Sequence, residues 1–129
     1  MSDFLLTHNP DKSDPPVLRE MSNWSFGTRK TGASPGDTVW LLRQGRGPRG
    51  IFARGAVLSP IYQDAHWAGP GVANYADVEW ESMRCDPIPL AVLRAEAPGT
   101  NWSPQASGTL IPGDDAAILA DMWADWAKP

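Results

Sequence analysis

The chain has 129 residues, a formal net charge of −4 and one cysteine, Cys85, which excludes an intramolecular disulfide framework and leaves little for a cysteine-based zinc site. Its 12 glycines and 13 prolines make up about 19% of the residues against ~12% on average, so turns are frequent and long helices few. The opening Met1-Ser2-Asp3-Phe4 lacks the basic-then-apolar order of a signal peptide, and no apolar run approaches the ~18 residues of a membrane span; a single cytoplasmic domain over residues 1–129, with no membrane partner, is expected.

In chain order, Phe4-Leu5-Leu6-Thr7 reads as a short strand, and His8-Asn9-Pro10-Asp11 as a turn. Asp14-Pro15 has the form of an N-cap followed by proline at the first helical position, predicting one or two helical turns to about Ser22. Asn23 to Gly27 reads as an irregular aromatic segment. After the turn Ala33-Ser34-Pro35-Gly36-Asp37, Thr38–Arg43 is the clearest strand, rich in β-formers. Gln44–Arg49 forms a glycine-rich turn, and Gly50–Leu58 the returning strand. Tyr62 to Asn74 reads as a long irregular loop. Tyr75 to Glu81 alternates, with Ala76, Val78 and Trp80 on one face and Asp77, Glu79 and Glu81 on the other, a strand with one buried side. Ile88–Leu93 reads equally as a strand or a helical turn, and Trp102–Gly108 as irregular. Asp114 or Asp115 caps a terminal helix whose Ile118, Leu119, Met122, Trp123 and Trp126 share one face. The whole reads as a small twisted or barrel-like sheet with a few short helices.

The charge is unevenly spread. Residues 1–54 carry eight basic side chains against five acids, a net of +3, and the remainder nets −7. Polyanion binding needs a local basic surface rather than a basic average. Gly45-Arg46-Gly47-Pro48-Arg49-Gly50 matches G-x-G-x-x-G literally, but a strand rather than a helix follows and Pro48 removes an N–H donor, so it reads as an arginine-bearing hairpin turn and not a dinucleotide site. His8 and His66 lie in separate loops outside any nucleophile or metal signature, and Asp114 with Asp115 reads as helix capping. No catalytic residue, metal or cofactor is expected; the inventory points to a binding module.

The tryptophans divide. Trp80, Trp123, Trp126 and Trp40 fall at core spacing. Trp24, Trp67 and Trp102 stand in Gly/Pro/Ser-rich segments beside Ser25, His66, and Asn101 with Ser103 and Gln105. Such aromatics either plug a small core or wall a pocket that stacks on a flat ring while amides and hydroxyls read its edge, the chemistry a flipped nucleobase requires.

Phe4-Leu5-Leu6-Thr7-His8-Asn9-Pro10-Asp11-Lys12 resembles the "FLLTWNPDKW" opening of a group of EVE-type domains. Gly36-Asp37-Thr38-Val39-Trp40-Leu41-Leu42-Arg43-Gln44-Gly45 with Pro48-Arg49-Gly50-Ile51 is similar to their "GDRVFLLRQG…PRGI" signature. His66-Trp67, Tyr75-Ala76-Asp77-Val78 and Trp102-Ser103-Pro104-Gln105-Ala106-Ser107-Gly108 follow in family order, so the resemblance spans roughly Phe4 to Trp123. It implies an α+β, PUA-like fold related to YTH and SRA-type readers: a small, strongly bent β-barrel with short flanking helices and a C-terminal helix. It further implies a reader of 5-methylcytosine or 5-hydroxymethylcytosine in double-stranded DNA that flips the base into an aromatic pocket, as in the modules preceding HNH nucleases in type IV, modification-dependent restriction enzymes. This chain has no HNH pattern, so on that resemblance it is either the reader module of a longer protein, with an HNH nuclease fused or associated, or a stand-alone reader.

On that reading Trp24 and Trp102 bracket the ring, Trp67 or Tyr75 forms a third wall, and Asn9, Ser25, Gln105 and Ser107 supply the polar edge. Arg29, Lys30, Arg43, Arg46 and Arg49 contact phosphates. The sequence departs from the pattern at His8 and Ser13, where the family has tryptophan. A modified-RNA reader, and a small-molecule-binding or enzymatic domain using the same cleft, are the alternatives.

Overall fold

The computed structural model describes residues 1–66 and 68–126. Among the described residues, seven strands, β1 (Asp3–His8), β2 (Met21–Ser25), β3 (Thr38–Arg43), β4 (Gly50–Val57), β5 (Tyr62–Ala65), β6 (Val72–Pro89) and β7 (Thr109–Ile111), join two helices, α1 (Leu90–Glu96) and α2 (Gly113–Trp126). The hydrogen-bonded order is β2-β6-β4-β3-β1-β7, with β5 also on β6. β1 runs parallel to β3 and the other pairings are antiparallel. The architecture is α+β and the sheet is strongly bent, but it does not close into the expected barrel.

The bend has a local cause. The β3–β4 register slips at Leu41/Leu42, and the β4–β6 register slips at Ile51/Ala53 and again at Arg54/Gly55. Each bulge adds twist and turns the strand. The long β6 therefore serves β4 along one part of its length and β2 and β5 along another.

Strands β1 and β3 carry continuous apolar runs, Phe4–Leu6 and Val39–Leu42, because both faces are buried there. Phe4, Leu6, Val39 and Leu41 point to one side, where they meet Phe26, Phe52, Val57, Val78 and Trp80 inside the bend. Leu5, Trp40 and Leu42 point to the other, where they meet Ile51, Ile88, Leu93, Trp102, Leu119 and Trp123 beneath the helices. Fully burying one such large side chain stabilises by roughly 1.5–3 kcal/mol, so the two cores share the load.

Several expectations change. His8 ends strand β1 and does not lie in a turn or loop. Residues 15–22 are not helical: Asp14 and Pro15 each precede a proline, which disfavours the α conformation. Arg19 there takes φ 65° and its N–H bonds the Trp80 carbonyl at 2.8 Å. Trp24 stands on a strand, β2, and not in an irregular segment. Much of the expected 62–74 loop is the β5–β6 hairpin. Residues 109–111 form a strand on β1. Ile88–Leu93 is divided, ending β6 and beginning α1. Asp114 and Asp115 both lie within the first turn of α2, where the helix dipole favours a negative charge. Asp115 is buried and accepts a 2.6 Å bond from the Thr100 hydroxyl.

Candidate functional site

Where β1, β2 and the 104–108 segment come together, a cleft of about 450 Å³ opens, lined by Thr7, His8, Asn9, Lys12 and Ser13 on one side and by Asn23, Trp24, Ser25, Gln44, Tyr75 and Ser107 on others. Its size suits a small planar ligand. A second cleft of about 480 Å³, lined by Thr28, Arg29, Lys30, Thr31 and Thr109 among others, shares Ala106 and Ser107 with the first.

The wall between the clefts depends on two glycines. Gly27 has φ 61° and Gly108 has φ 95°. A Cβ on Gly27 would come within 2.4 Å of the Ser107 carbonyl oxygen, and one on Gly108 within 2.3 Å of the Phe26 carbonyl oxygen. Only glycine meets both demands, positive φ and close backbone approach. Ser107 is thereby held against β1, and its Oγ accepts the Thr7 N–H at 3.1 Å.

Trp24 is half-buried at the base of the first cleft. Its indole N–H donates to the Thr7 carbonyl at 3.0 Å, and its ring meets Trp80 edge-on at 5.4 Å. That anchoring leaves an aromatic surface at the cleft with its orientation fixed. Tyr75 adds a second aromatic wall; it is 3% exposed and its hydroxyl donates to the Ala65 carbonyl at 3.2 Å. Asn23 is bonded to the Tyr62 hydroxyl, which itself donates to Asp77 Oδ1 at 2.6 Å. Burial and Asp77 push the Tyr62 phenol up to about 12, so it stays a neutral donor.

His8 is buried between Trp24 and Phe52, 5.9 Å from each ring centre, with Nδ1 3.2 Å from the Ser13 hydroxyl. Burial, with the nearby Arg43 charge, holds its imidazole below the usual value. The two positions that depart from the family pattern thus touch one another inside the cleft.

The structure brings Trp24, Ser25, Tyr75, Asn9 and Ser107 to the lining of one cleft. It takes Trp102 away: that ring is 2% exposed, packs beneath the helices and donates its N–H to Ala97 at 2.7 Å. Trp102 plugs the second core, so it does not bracket a ring with Trp24. Gln105 is exposed and lies outside both cleft linings. Trp67 lies outside the described residues. Lys12, Asn23 and Gln44 are cleft residues that sequence reasoning missed, although Lys12 and Gln44 belong to the quoted motifs.

The basic residues separate by role. Arg46 and Arg49 are exposed on the β3–β4 turn, with Arg49 Nε bonded to the Gly45 carbonyl at 2.8 Å. Lys30 is exposed at the second cleft. Arg29 and Arg43 are more engaged: Arg29 lies over Phe4 and bonds the Gly108 carbonyl at 2.7 Å, and Arg43 lies over Phe52. Among the described residues, no group of three or more His, Cys, Asp or Glu side chains is placed to hold a metal ion, and no helix is long and apolar enough to cross a membrane.

The open, strongly bent α+β sheet is consistent with a PUA-like fold. No protein-family model and no curated protein matches the sequence. Solved structures do match in fold. A hypothetical protein from Leishmania major aligns with TM-score 0.76 at 15% identity, over 99% of this chain and 98% of its own. Human THYN1, in a complex with 5-methylcytosine-containing DNA, aligns with TM-score 0.70 at 14% identity over 100% of both chains. The DUF55 domain of human thymocyte nuclear protein 1 aligns with TM-score 0.66 at 14% identity, over 94% of this chain and 98% of its own. The chain shares their fold from end to end.

Proposed function

We propose that this chain is a non-catalytic reader of a modified cytosine in DNA, 5-methylcytosine or 5-hydroxymethylcytosine, and that it takes the base flipped out of the duplex into the Trp24–Tyr75 cleft. The observation that carries the reading is the cleft itself: a fixed aromatic surface ringed by amides and hydroxyls, with cationic side chains on adjoining turns. Stacking of a ring on an aromatic face with polar contacts at its edge is how extruded bases are held. The likeness in fold to THYN1, whose structure contains 5-methylcytosine DNA, supports the same reading. In this proposal Trp24 and Tyr75 form the walls, and Asn9, Ser25 and Ser107 face the edge. Lys30, Arg46 and Arg49 contact phosphates, with Arg29 and Arg43 behind them. The resemblance to EVE-type domains suggests service as the targeting module of a modification-dependent restriction system, beside a fused or associated HNH nuclease, in the cytoplasm.

A methyl group alone contributes ~1 kcal/mol on burial, about fivefold in affinity, so discrimination rests on the fit of the whole cleft. Trp24→Ala is expected to abolish preference for a modified duplex while Trp24→Phe, which keeps a stacking face, retains part of it. Fluorescence-polarisation titrations of both variants, with thermal unfolding to confirm folding, make the test. Undiminished preference in a folded Trp24→Ala protein removes Trp24 from the pocket and contradicts the reading.

A further inference from the structure

We infer that Gln44 is the specificity-determining residue of this cleft, and that it selects a base carrying an exocyclic amine, cytosine-type rather than thymine-type; the inference rests on the base-reading function proposed above. Hydrogen-bonding roles at the cleft are set by neighbours that have no choice of role. The Pro104 carbonyl oxygen can only accept. The Gln44 amide therefore turns its NH2 towards Pro104, Nε2 to O 3.0 Å, and its Oε1 remains an acceptor. The Gln44 backbone N–H is itself tied to the His8 carbonyl at 2.8 Å, which fixes the residue at both ends.

The other polar groups are set the opposite way. Asn9 Oδ1 accepts the Asp11 N–H at 2.9 Å, so its NH2 is left to donate. Ser25 Oγ accepts the Gly27 N–H at 3.1 Å, and Ser107 Oγ accepts the Thr7 N–H at 3.1 Å. Each of these hydroxyls keeps its hydrogen for another acceptor. The Trp24 N–H is spent on the Thr7 carbonyl, so that residue offers a face and no edge contact. The cleft thus sets a fixed amide acceptor, Gln44 Oε1, on a half-buried residue among donors from Asn9, Ser25 and Ser107, whereas the Asn23 amide and the Asp14 carboxylate that also line it belong to exposed residues.

A cytosine ring carries the complementary pattern along its pairing edge: an amine donor, then a ring-nitrogen acceptor, then a carbonyl acceptor. Thymine has a carbonyl, an N–H and a carbonyl in the same positions. Thymine bears the same C5 methyl as 5-methylcytosine, so the two differ only along that edge. A thymine carbonyl facing Gln44 Oε1 sets acceptor against acceptor, and rotating the amide would set Oε1 against the Pro104 carbonyl instead. Either arrangement leaves a desolvated acceptor unpaired, the circumstance in which sites discriminate strongly.

The experiment compares one duplex carrying 5-methylcytosine, thymine or cytosine at a single position opposite an abasic site, so that no base pair has to be broken. Fluorescence-polarisation titration of the unsubstituted chain is expected to favour 5-methylcytosine over thymine by about tenfold or more. Gln44→Leu, checked for folding by thermal unfolding, is expected to remove most of that ratio. Binding of 5-methylcytosine and thymine alike, both tighter than cytosine, overturns the role of Gln44 and leaves the base-reading function standing. Equal binding of all three overturns the base-reading function and the inference with it. A folded Gln44→Leu protein that keeps the full ratio also overturns the inference. The unsubstituted chain decides the first two outcomes by itself, whatever the stability of the variant.

Discussion

His8 shows how much one residue can report. It stands where the EVE-type pattern the sequence resembles has tryptophan, is buried between two rings, and its Nδ1 meets the Ser13 hydroxyl. Its lowered pKa, caused first by burial and then by Arg43, means that the unfolded chain takes up this proton before the folded one does. The group's full contribution to stability is therefore present above the unfolded value near 6.5. It is lost as pH falls through the window between that value and the lower folded one. Urea midpoints measured from about pH 7 down to about pH 5 are expected to fall more steeply for the natural chain than for His8→Gln. Parallel slopes would contradict the account of His8. At this scale the sequence was informative about composition and less so about direction. Trp24 and Trp102 stand in similar sequence surroundings. Nothing local distinguishes the ring that β2 presents at a cleft from the ring that long-range packing against α2 buries.

Among elements, legibility tracks burial. β3 and β4 were readable because both of their faces are buried and their apolar runs stop at turn residues. The alternation of Ala76, Val78 and Trp80 likewise marked the middle of β6. β2 and β5 are not legible in the sequence because neither, MSNWS or YQDA, has a fully buried residue or an apolar run, and both are held by pairing with β6 rather than by their own composition. The expected helix at 15–22 failed because proline in succession suits an extended chain better than a helical turn. The segment around Gly108 carries the cleft wall, and its geometry makes a direct prediction. Gly108→Ala would push a methyl group to 2.3 Å from the Phe26 carbonyl oxygen at a φ of 95°. A loss of about 1–3 kcal/mol is expected from overpacking and backbone strain, read as a lower urea midpoint. Because Ser107 moves with this wall, preference for modified DNA should weaken too. An unchanged midpoint would show that the wall yields easily and is not what shapes the cleft.

Over the whole molecule, charge and fold divide the work. The first 54 residues net +3 within a chain that nets −4, and they include the exposed Arg46 and Arg49 of the β3–β4 turn as well as most of the cleft. On the proposed reading these cations contact a duplex's phosphates, while the acidic α2 is part of the layer that buries the second core. Phosphate contacts of this kind release counterions, so Arg46→Ala is expected to weaken all duplexes alike and to lower the slope of log affinity against log salt by about one. An unchanged slope would remove Arg46 from the contact set. The central claim is that this chain reads a modified cytosine. The most direct measurement is fluorescence-polarisation binding to one duplex carrying cytosine, 5-methylcytosine, 5-hydroxymethylcytosine or N6-methyladenine at a single site, at two salt concentrations. A salt-sensitive preference for a modified-cytosine duplex is the expected result; equal, weak binding to all four would contradict it.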